Sequence, residues 1–167
     1  MSSSDLTRRK VLQCAPCVLV LAGCGFTPVY APGEAASRLQ RTVLYQEPRS
    51  PDQFDIARHV ERRLGTATAP KFGLLILPSV RSESLAVAAE EDITRFDLIG
   101  IATYTLTDLR TGQAIQSGRV DTFTSYSATG TTVSTRSAQR EARSRLMVAL
   151  TDLVLVRLIA AADTLPE

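Results

Sequence analysis

The sequence predicts an α+β fold in two layers: a four-stranded, largely antiparallel or mixed sheet with two helices packed on one face, in the order β-α-β-β-β-α. Three patterns lead there. Apolar residues recur at helical spacing from Phe54 to Leu64. Three long strand-like stretches lie between Phe72 and about Tyr126, rich in β-branched residues and Thr. A closing segment, Leu146 to Ala162, is apolar on nearly every side, as a helix buried on several faces must be.

The elements follow one another plainly. Arg41-Thr42-Val43-Leu44-Tyr45 has the bias of a strand, and Glu47-Pro48-Arg49-Ser50-Pro51 ends it. Ser50 or Asp52 can cap the next helix, whose first turn tolerates Pro51 and whose apolar face is Phe54, Ile56, Ala57, Val60 and Leu64. Gly65 is its stop. The second strand begins at Phe72 with the buried-type run Leu74-Leu75-Ile76-Leu77, and Pro78 marks an edge or a bulge in it. The third runs from Ile93 to Leu109, with Phe96, Leu98, Ala102, Tyr104 and Leu106 alternating with polar residues. A turn through Asp108-Leu109-Arg110-Thr111-Gly112-Gln113 returns the chain along Ala114 to Tyr126, and its glycine suits a hairpin with a bulge. Both hairpin strands exceed the usual five or six residues and read as projecting beyond the core. The last helix is expected from about Thr135 to Ala162, with a polar, solvated front half.

Composition narrows the function classes. The 167 residues suit one domain, and 44% hydrophobic with 22% charged residues describes a globular chain. Aromatic residues are 5%, with no Trp, which argues against a stacking platform for single-stranded nucleic acid. The net charge of +2 comes from Arg8, Arg9 and Lys10 near the start. From residue 24 onward the acidic and basic residues balance, so a basic nucleic-acid binder is not expected.

Residues 1–23 read as a lipoprotein signal peptide: a cationic cluster, then a mostly apolar run from Val11 to Ala22, too short to span a bilayer. Leu21-Ala22-Gly23-Cys24 resembles the bacterial lipobox, in which a peptidase cuts before a cysteine that carries a diacylglycerol. Cys24 is therefore the expected lipidation site, its acyl chains holding the domain on a membrane. No other cofactor is expected. Thr7-Arg8-Arg9-Lys10-Val11-Leu12 is also similar to a twin-arginine export signal, and the general secretory and twin-arginine routes both remain open. Cys14-Ala15-Pro16-Cys17 has redox spacing but lies inside the apolar run of the signal, so no redox role is assigned. Residues 24–40, with Gly25, Pro28, Pro32 and Gly33, read as a lipidated tether, and residues 41–167 as the single domain.

No pattern for bond-making chemistry stands out, and the chain reads as a non-enzyme with no metal site. His59, the one histidine, follows Asp55 by four residues and can pair with it along a helix, without a nucleophile beside it. Glu90-Glu91-Asp92 lacks the spacing of a calcium loop and reads as a solvated turn. Arginine is the more informative residue. Lys71 is the one lysine after the signal, so nearly every cation of the mature chain is a guanidinium that can grip phosphate bidentately. Arg81, Arg95, Arg110 and Arg119 lie on or beside the long strands, while Arg136 and Arg140 stand early in the last helix. These six are the candidate phosphate contacts, against the plainer reading of a solvated charged face.

Three segments resemble one family. Cys24-Gly25-Phe26-Thr27-Pro28-Val29-Tyr30 is similar to the lipidated start of the lipopolysaccharide-assembly lipoproteins of the LptE family in their alphaproteobacterial form. Ala102-Thr103-Tyr104-Thr105-Leu106-Thr107-Asp108-Leu109-Arg110-Thr111-Gly112 resembles that family's A-x-Y-x-L-x-D-x-x-T-G hairpin. Thr124-Ser125-Tyr126 and Ala138-Gln139-Arg140-Glu141-Ala142-Arg143 resemble its strand exit and charged helix start, whereas Ala128-Thr129-Gly130-Thr131-Thr132-Val133 departs from it in Thr and Gly content. The resemblance implies a lipid-anchored protein at the periplasmic face of the cell outer membrane, plugging the β-barrel LptD and helping it assemble lipopolysaccharide into the outer leaflet. It implies LptD and lipopolysaccharide as partners, with the arginines turned to lipopolysaccharide phosphates. Gly25 after the lipidated cysteine suits outer-membrane sorting. An accessory lipoprotein of a phospholipid-trafficking ATP-binding-cassette system is the alternative, which would bind a transporter component in place of a barrel.

Overall fold

The computed structural model describes residues 35–84, 95–128 and 131–165. Cys24, the rest of the signal and tether up to residue 34, and the Glu90-Glu91-Asp92 cluster lie outside the described residues. Within them the chain forms α1 (Ala35–Leu39), β1 (Val43–Tyr45), α2 (Pro51–Leu64), β2 (Phe72–Ser84), β3 (Arg95–Asp108), β4 (Ala114–Ser127) and α3 (Thr132–Ala160), closed by a 3-10 turn (Ala162–Thr164). The four strands make one sheet in sequence order, with β1 parallel to β2 and the other neighbours antiparallel. The expected α+β architecture of four strands and two packed helices is the observed one, with a short helix added in front.

That addition moves a boundary. The sequence carries the expected tether through residue 40, but Ala36 and Leu39 are fully buried, and Leu39 belongs to the core cluster. Five residues give too short an apolar pattern to register as a helix from sequence. The two apolar side chains nevertheless bury against the end of the domain, so the packed body begins by Ala35.

Alternation along the strands separates two faces of the sheet. Phe72, Leu74 and Ile76 of β2, Leu98, Ala102, Tyr104 and Leu106 of β3, and Val120 of β4 are buried on one face. α3 covers that face over β4 and β3, while α2 lies beside it on the β1–β2 side. The registers place Leu75, Leu77, Ile99, Ile101, Thr103, Arg119, Asp121 and Phe123 on the other face, which no described element covers.

α2 starts as its sequence promises. Ser50 caps it by accepting from the Gln53 N–H at 3.3 Å, and Gln53 Oε1 reaches back to the Arg49 N–H at 2.7 Å, a variant of the capping box. Asp52 instead reaches across to α3, where both its carboxylate oxygens accept from Arg143 at 2.7 Å. Gly65 ends the helix with φ 80°. Tyr45 ties β1 to β2 through its hydroxyl, which donates to the Ile76 carbonyl at 3.2 Å, and burial pushes its phenol pKa up to about 12.

α3 is the core helix, one turn longer at its start than the sequence indicates. Leu146, Met147, Leu150, Val154, Leu155 and Leu158 are buried along it. The three polar residues that interrupt its apolar half are each accounted for. Thr151 is fully buried and returns its hydroxyl to the Met147 carbonyl at 2.7 Å. Asp152 accepts from His59 on α2, and Arg157 is exposed. No helix among the described residues is long and apolar enough to cross a membrane.

The hairpin turn is built on Asp108. Its carboxylate accepts from the Arg110 N–H at 2.7 Å and from the Thr111 N–H at 3.3 Å, while Gly112 takes φ 72°. A register shift at Leu106/Thr107 supplies the bulge the glycine implies.

This packing has measurable consequences. A Cβ on Gly100 would stand 2.9 Å from Leu150 Cδ1 and 3.0 Å from both Cδ atoms of Leu146. Gly100→Ala is expected to destabilise by about 1–3 kcal/mol through overpacking, and Leu150→Ala by about 2–5 kcal/mol through a cavity. In urea unfolding the double variant should cost less than the two single changes together, since the truncation makes room for the new methyl. Strict additivity would refute the close seating of α3 on Gly100. The hairpin turn responds to pH. The Arg110 N–H, then the Thr111 N–H and the Arg110 charge, hold the Asp108 carboxyl below its ordinary 3.8, against an opposing effect of burial. A carboxylate with a lowered folded pKa stabilises fully above its unfolded value, and that contribution disappears as the pH falls through the folded value. Asp108→Asn should therefore flatten the loss of stability below about pH 4, measured by denaturant titration from neutral pH downwards.

Candidate functional site

The six arginines singled out in the sequence fall on different parts of the frame. Arg110 stands in the β3–β4 turn, with its Nη2 3.8 Å from Asp108 Oδ2. Arg119 is exposed on the uncovered sheet face, opposite Thr103 of β3. Arg81 lies on the same face and is paired with Glu83 at 3.1 Å. Arg95 opens β3 and faces Ser127, the last residue of β4, across the sheet. Arg136 and Arg140 stand on the exposed first turns of α3, which follow β4 after a short connection.

Strand length decides which of these can act together. At about 3.3 Å per residue, a strand of this size runs roughly 40 Å from the hairpin turn to its far end. Arg110 is thus at one end of the domain, while Arg95, Arg136 and Arg140 share the other. No single phosphate group can meet all six.

The far end has the more open chemistry. Arg95, Ser125, Tyr126 and Ser127 line an open depression of about 210 Å³. The Arg95 Nη2 to Ser125 Oγ distance is 3.5 Å, at the limit of a hydrogen bond, so the guanidinium is barely held. Arg140 touches Ser137 Oγ at 3.4 Å, and Arg136 makes no polar contact with any described residue. Phe96 and Tyr126 stack with ring centroids 5.4 Å apart, giving this end an aromatic floor on the helix side. By contrast Arg143 is committed: its hydrogen bonds with Asp52, and then the Asp52 charge, raise its pKa further against an opposing effect of burial. Arg145 is tied to Glu141 at 2.6 Å. Loosely held guanidinium groups beside serine hydroxyls are suited to receive an anionic, hydroxyl-bearing ligand.

The uncovered sheet face is a second feature, one the sequence analysis does not single out. An apolar band crosses it obliquely from Leu75 and Leu77 through Ile101 and Ile99 to Phe123, which is 66% exposed. Thr103, Thr105, Ser117 and Arg119 border it on one side, Ser79, Arg81 and Glu83 on the other. The signal is present in the unbroken run Leu74-Leu75-Ile76-Leu77 and in the pair Leu98-Ile99, where both phases of the alternation are apolar.

His59 does not pair with Asp55. Its Nε2 lies 2.8 Å from Asp152 Oδ1 on α3, with Arg63 Nε 3.7 Å from the same oxygen. Arg62 Nη2 meets Nδ1 at 3.1 Å. A guanidinium only donates, so Nδ1 accepts and the Nε2–H donates to Asp152. The cluster fastens α2 to α3. Among the described residues no group of three or more His, Cys, Asp or Glu side chains is placed to hold a metal ion.

No protein-family model matches the sequence, and no curated protein matches it. Solved structures do. A protein of Caulobacter crescentus CB15, provisionally described as a lipoprotein, is 16% identical with a TM-score of 0.65, covering 77% of this chain and 96% of that one. The rare lipoprotein B of Shewanella oneidensis is 8% identical with a TM-score of 0.54, covering 74% of this chain and 95% of that one. A minor lipoprotein of Acinetobacter baumannii is 16% identical with a TM-score of 0.51, covering 75% of this chain and 92% of that one. At such identities the likeness shows the fold alone: this sheet and its helix layer are an architecture that bacterial lipoproteins share.

Proposed function

We propose that the chain is an outer-membrane lipoprotein, anchored through Cys24, that plugs and stabilises the LptD β-barrel and assists the assembly of lipopolysaccharide into the outer leaflet. The observation that carries the reading is the uncovered sheet face. It is long and bordered by Thr and Ser, and it offers both charge signs together with an oblique apolar band. Such a surface fits a hydrated barrel lumen, whose wall is itself polar. The resemblance to the LptE family in the segments after Cys24, in the hairpin and at the start of α3 supports it, as does a fold shared with bacterial lipoproteins.

On this reading the protein makes and breaks no bonds. It fills the barrel, and Arg95, Arg136 and Arg140 hold phosphates of lipopolysaccharide by charge-assisted hydrogen bonds at the far end of the domain. Arg110, at the opposite end and joined to its own turn, takes no part.

Two measurements test the reading. Tagged, lipidated protein purified in mild detergent should bring down a large outer-membrane barrel at one to one. Recovery of an inner-membrane transporter without a barrel would replace it with the phospholipid-trafficking alternative. In a lipopolysaccharide titration, the triple variant Arg95→Ala/Arg136→Ala/Arg140→Ala should bind about tenfold or more weakly with a shallower salt dependence, while Arg110→Ala binds like the parent. Equal losses from both variants would remove the far end as the binding site.

A further inference from the structure

The two edges of the sheet are treated differently. An unpaired edge strand offers a row of N–H and C=O groups to any other strand, and folded proteins usually blunt it. The free side of β2 is blunted. β1 pairs with its first three residues, the Tyr45 hydroxyl takes the Ile76 carbonyl, Pro78 has no N–H to offer, and Arg81 is paired with Glu83. β4 has fourteen residues, contains no proline, and meets no described strand on its outer side. Arg119 and Asp121, exposed and two residues apart on one face, make no ion pair or hydrogen bond with each other or with any described residue.

Those two charges complement themselves when the strand meets a second copy antiparallel. About a two-fold axis through Val120, Arg119 faces Asp121 of the second copy and Asp121 faces its Arg119. Gly118 then faces Thr122, and Ser117 faces Phe123. Facing residues share parity, so both helix layers lie on one side of a continuous eight-stranded sheet.

α3 supplies an independent second observation. It lies over β4 and β3, with α2 on the β1–β2 side, so its other flank is turned toward the free β4 edge. At 100° per residue that flank carries Ala149, Leu153, Val156 and Ala160. Leu153 is 39% and Val156 61% exposed.

From this geometry we infer that the chain forms a symmetric dimer through antiparallel pairing of β4 with β4 of a second copy, completed by packing of the two α3 flanks. The inference does not rest on the barrel reading, because the test uses the protein purified free of other chains. Full-length, membrane-processed protein is sedimented in a density-matched detergent, so that the micelle adds no apparent mass, and should show a concentration-dependent monomer–dimer equilibrium. Asp121→Arg sets like charges opposite one another twice and should weaken the dimer about tenfold or more. The double reversal Arg119→Asp/Asp121→Arg should restore it, and Val156→Asp should weaken it independently. These side chains are exposed, and far-ultraviolet circular dichroism checks that each variant is folded. A monomer at every concentration, or a dimer indifferent to Asp121→Arg, would overturn the inference. So would a monomeric parent whose Asp121→Arg variant loses a copurifying protein, which would assign the edge to a foreign strand.

Discussion

The domain depends on the seating of α3 on one face of its sheet. Leu146 and Leu150 approach so near to Gly100 that an added Cβ would stand within 3.0 Å of their methyl groups and force them to shift, and Leu98, Ala102, Tyr104 and Leu106 continue the contact along β3. Gly118 plays the same part under the Tyr104 ring, where a Cβ would stand 2.7 Å from the hydroxyl oxygen. These close approaches set how near the helix lies to the sheet. Everything else is arranged around that position. α2 and α1 close the side of the helix that β1 and β2 leave open, and the polar residues of α3 are placed where they find a partner.

Those polar residues act more as specificity than as stability. Asp152 interrupts the apolar half of α3 on the side that meets α2. Its hydrogen bond to His59 fixes the rotation of α3 relative to α2, and the bidentate Asp52–Arg143 pair fixes the translation. The second pair is partly exposed, so screening leaves it a modest contribution to stability. Its geometry nevertheless anchors the point where α3 leaves the core and becomes an exposed arginine-bearing arm.

Local patterns are legible in the sequence; pairings between distant segments are not. The hairpin can be read because its turn chemistry and alternation are local: Asp108 and Gly112 define the turn, and Tyr104 and Leu106 mark the buried phase. α2 can be read from Ser50 to Gly65 for the same reason, although Phe54, expected on its apolar face, is 57% exposed and Gln53 is buried in its place. α1 cannot, because five residues hold too little periodicity. The parallel pairing of β1 with β2 cannot, since it joins segments on either side of a helix. Spacing on its own helix matches His59 with Asp55, whereas its actual partner, Asp152, lies 93 residues away. The arginines are legible as a group but not as a site. Which of them share an end is set by where the hairpin stops and α3 begins, and that is a property of the assembled sheet.

Among the described residues one helix layer covers one face of the sheet, and no second layer covers the other. The opposite face then has to be tolerable to water or met by something else. In an ordinary antiparallel sheet the exposed phase is polar throughout. Here it is Thr-rich along β3 near the hairpin turn but apolar at Leu75, Leu77, Ile99, Ile101 and Phe123. Scattered apolar residues need no explanation, but a connected band across three strands is more than chance exposure on a monomer. The same asymmetry recurs at the edges, where β2 is blunted and β4 is not. Uncovered face and open edge meet along β4, at Arg119, Asp121 and Phe123. Hydrogen-bonding capacity, unmatched charges of both signs and an exposed ring thus come together on one strand, backed by the helix layer on the other face.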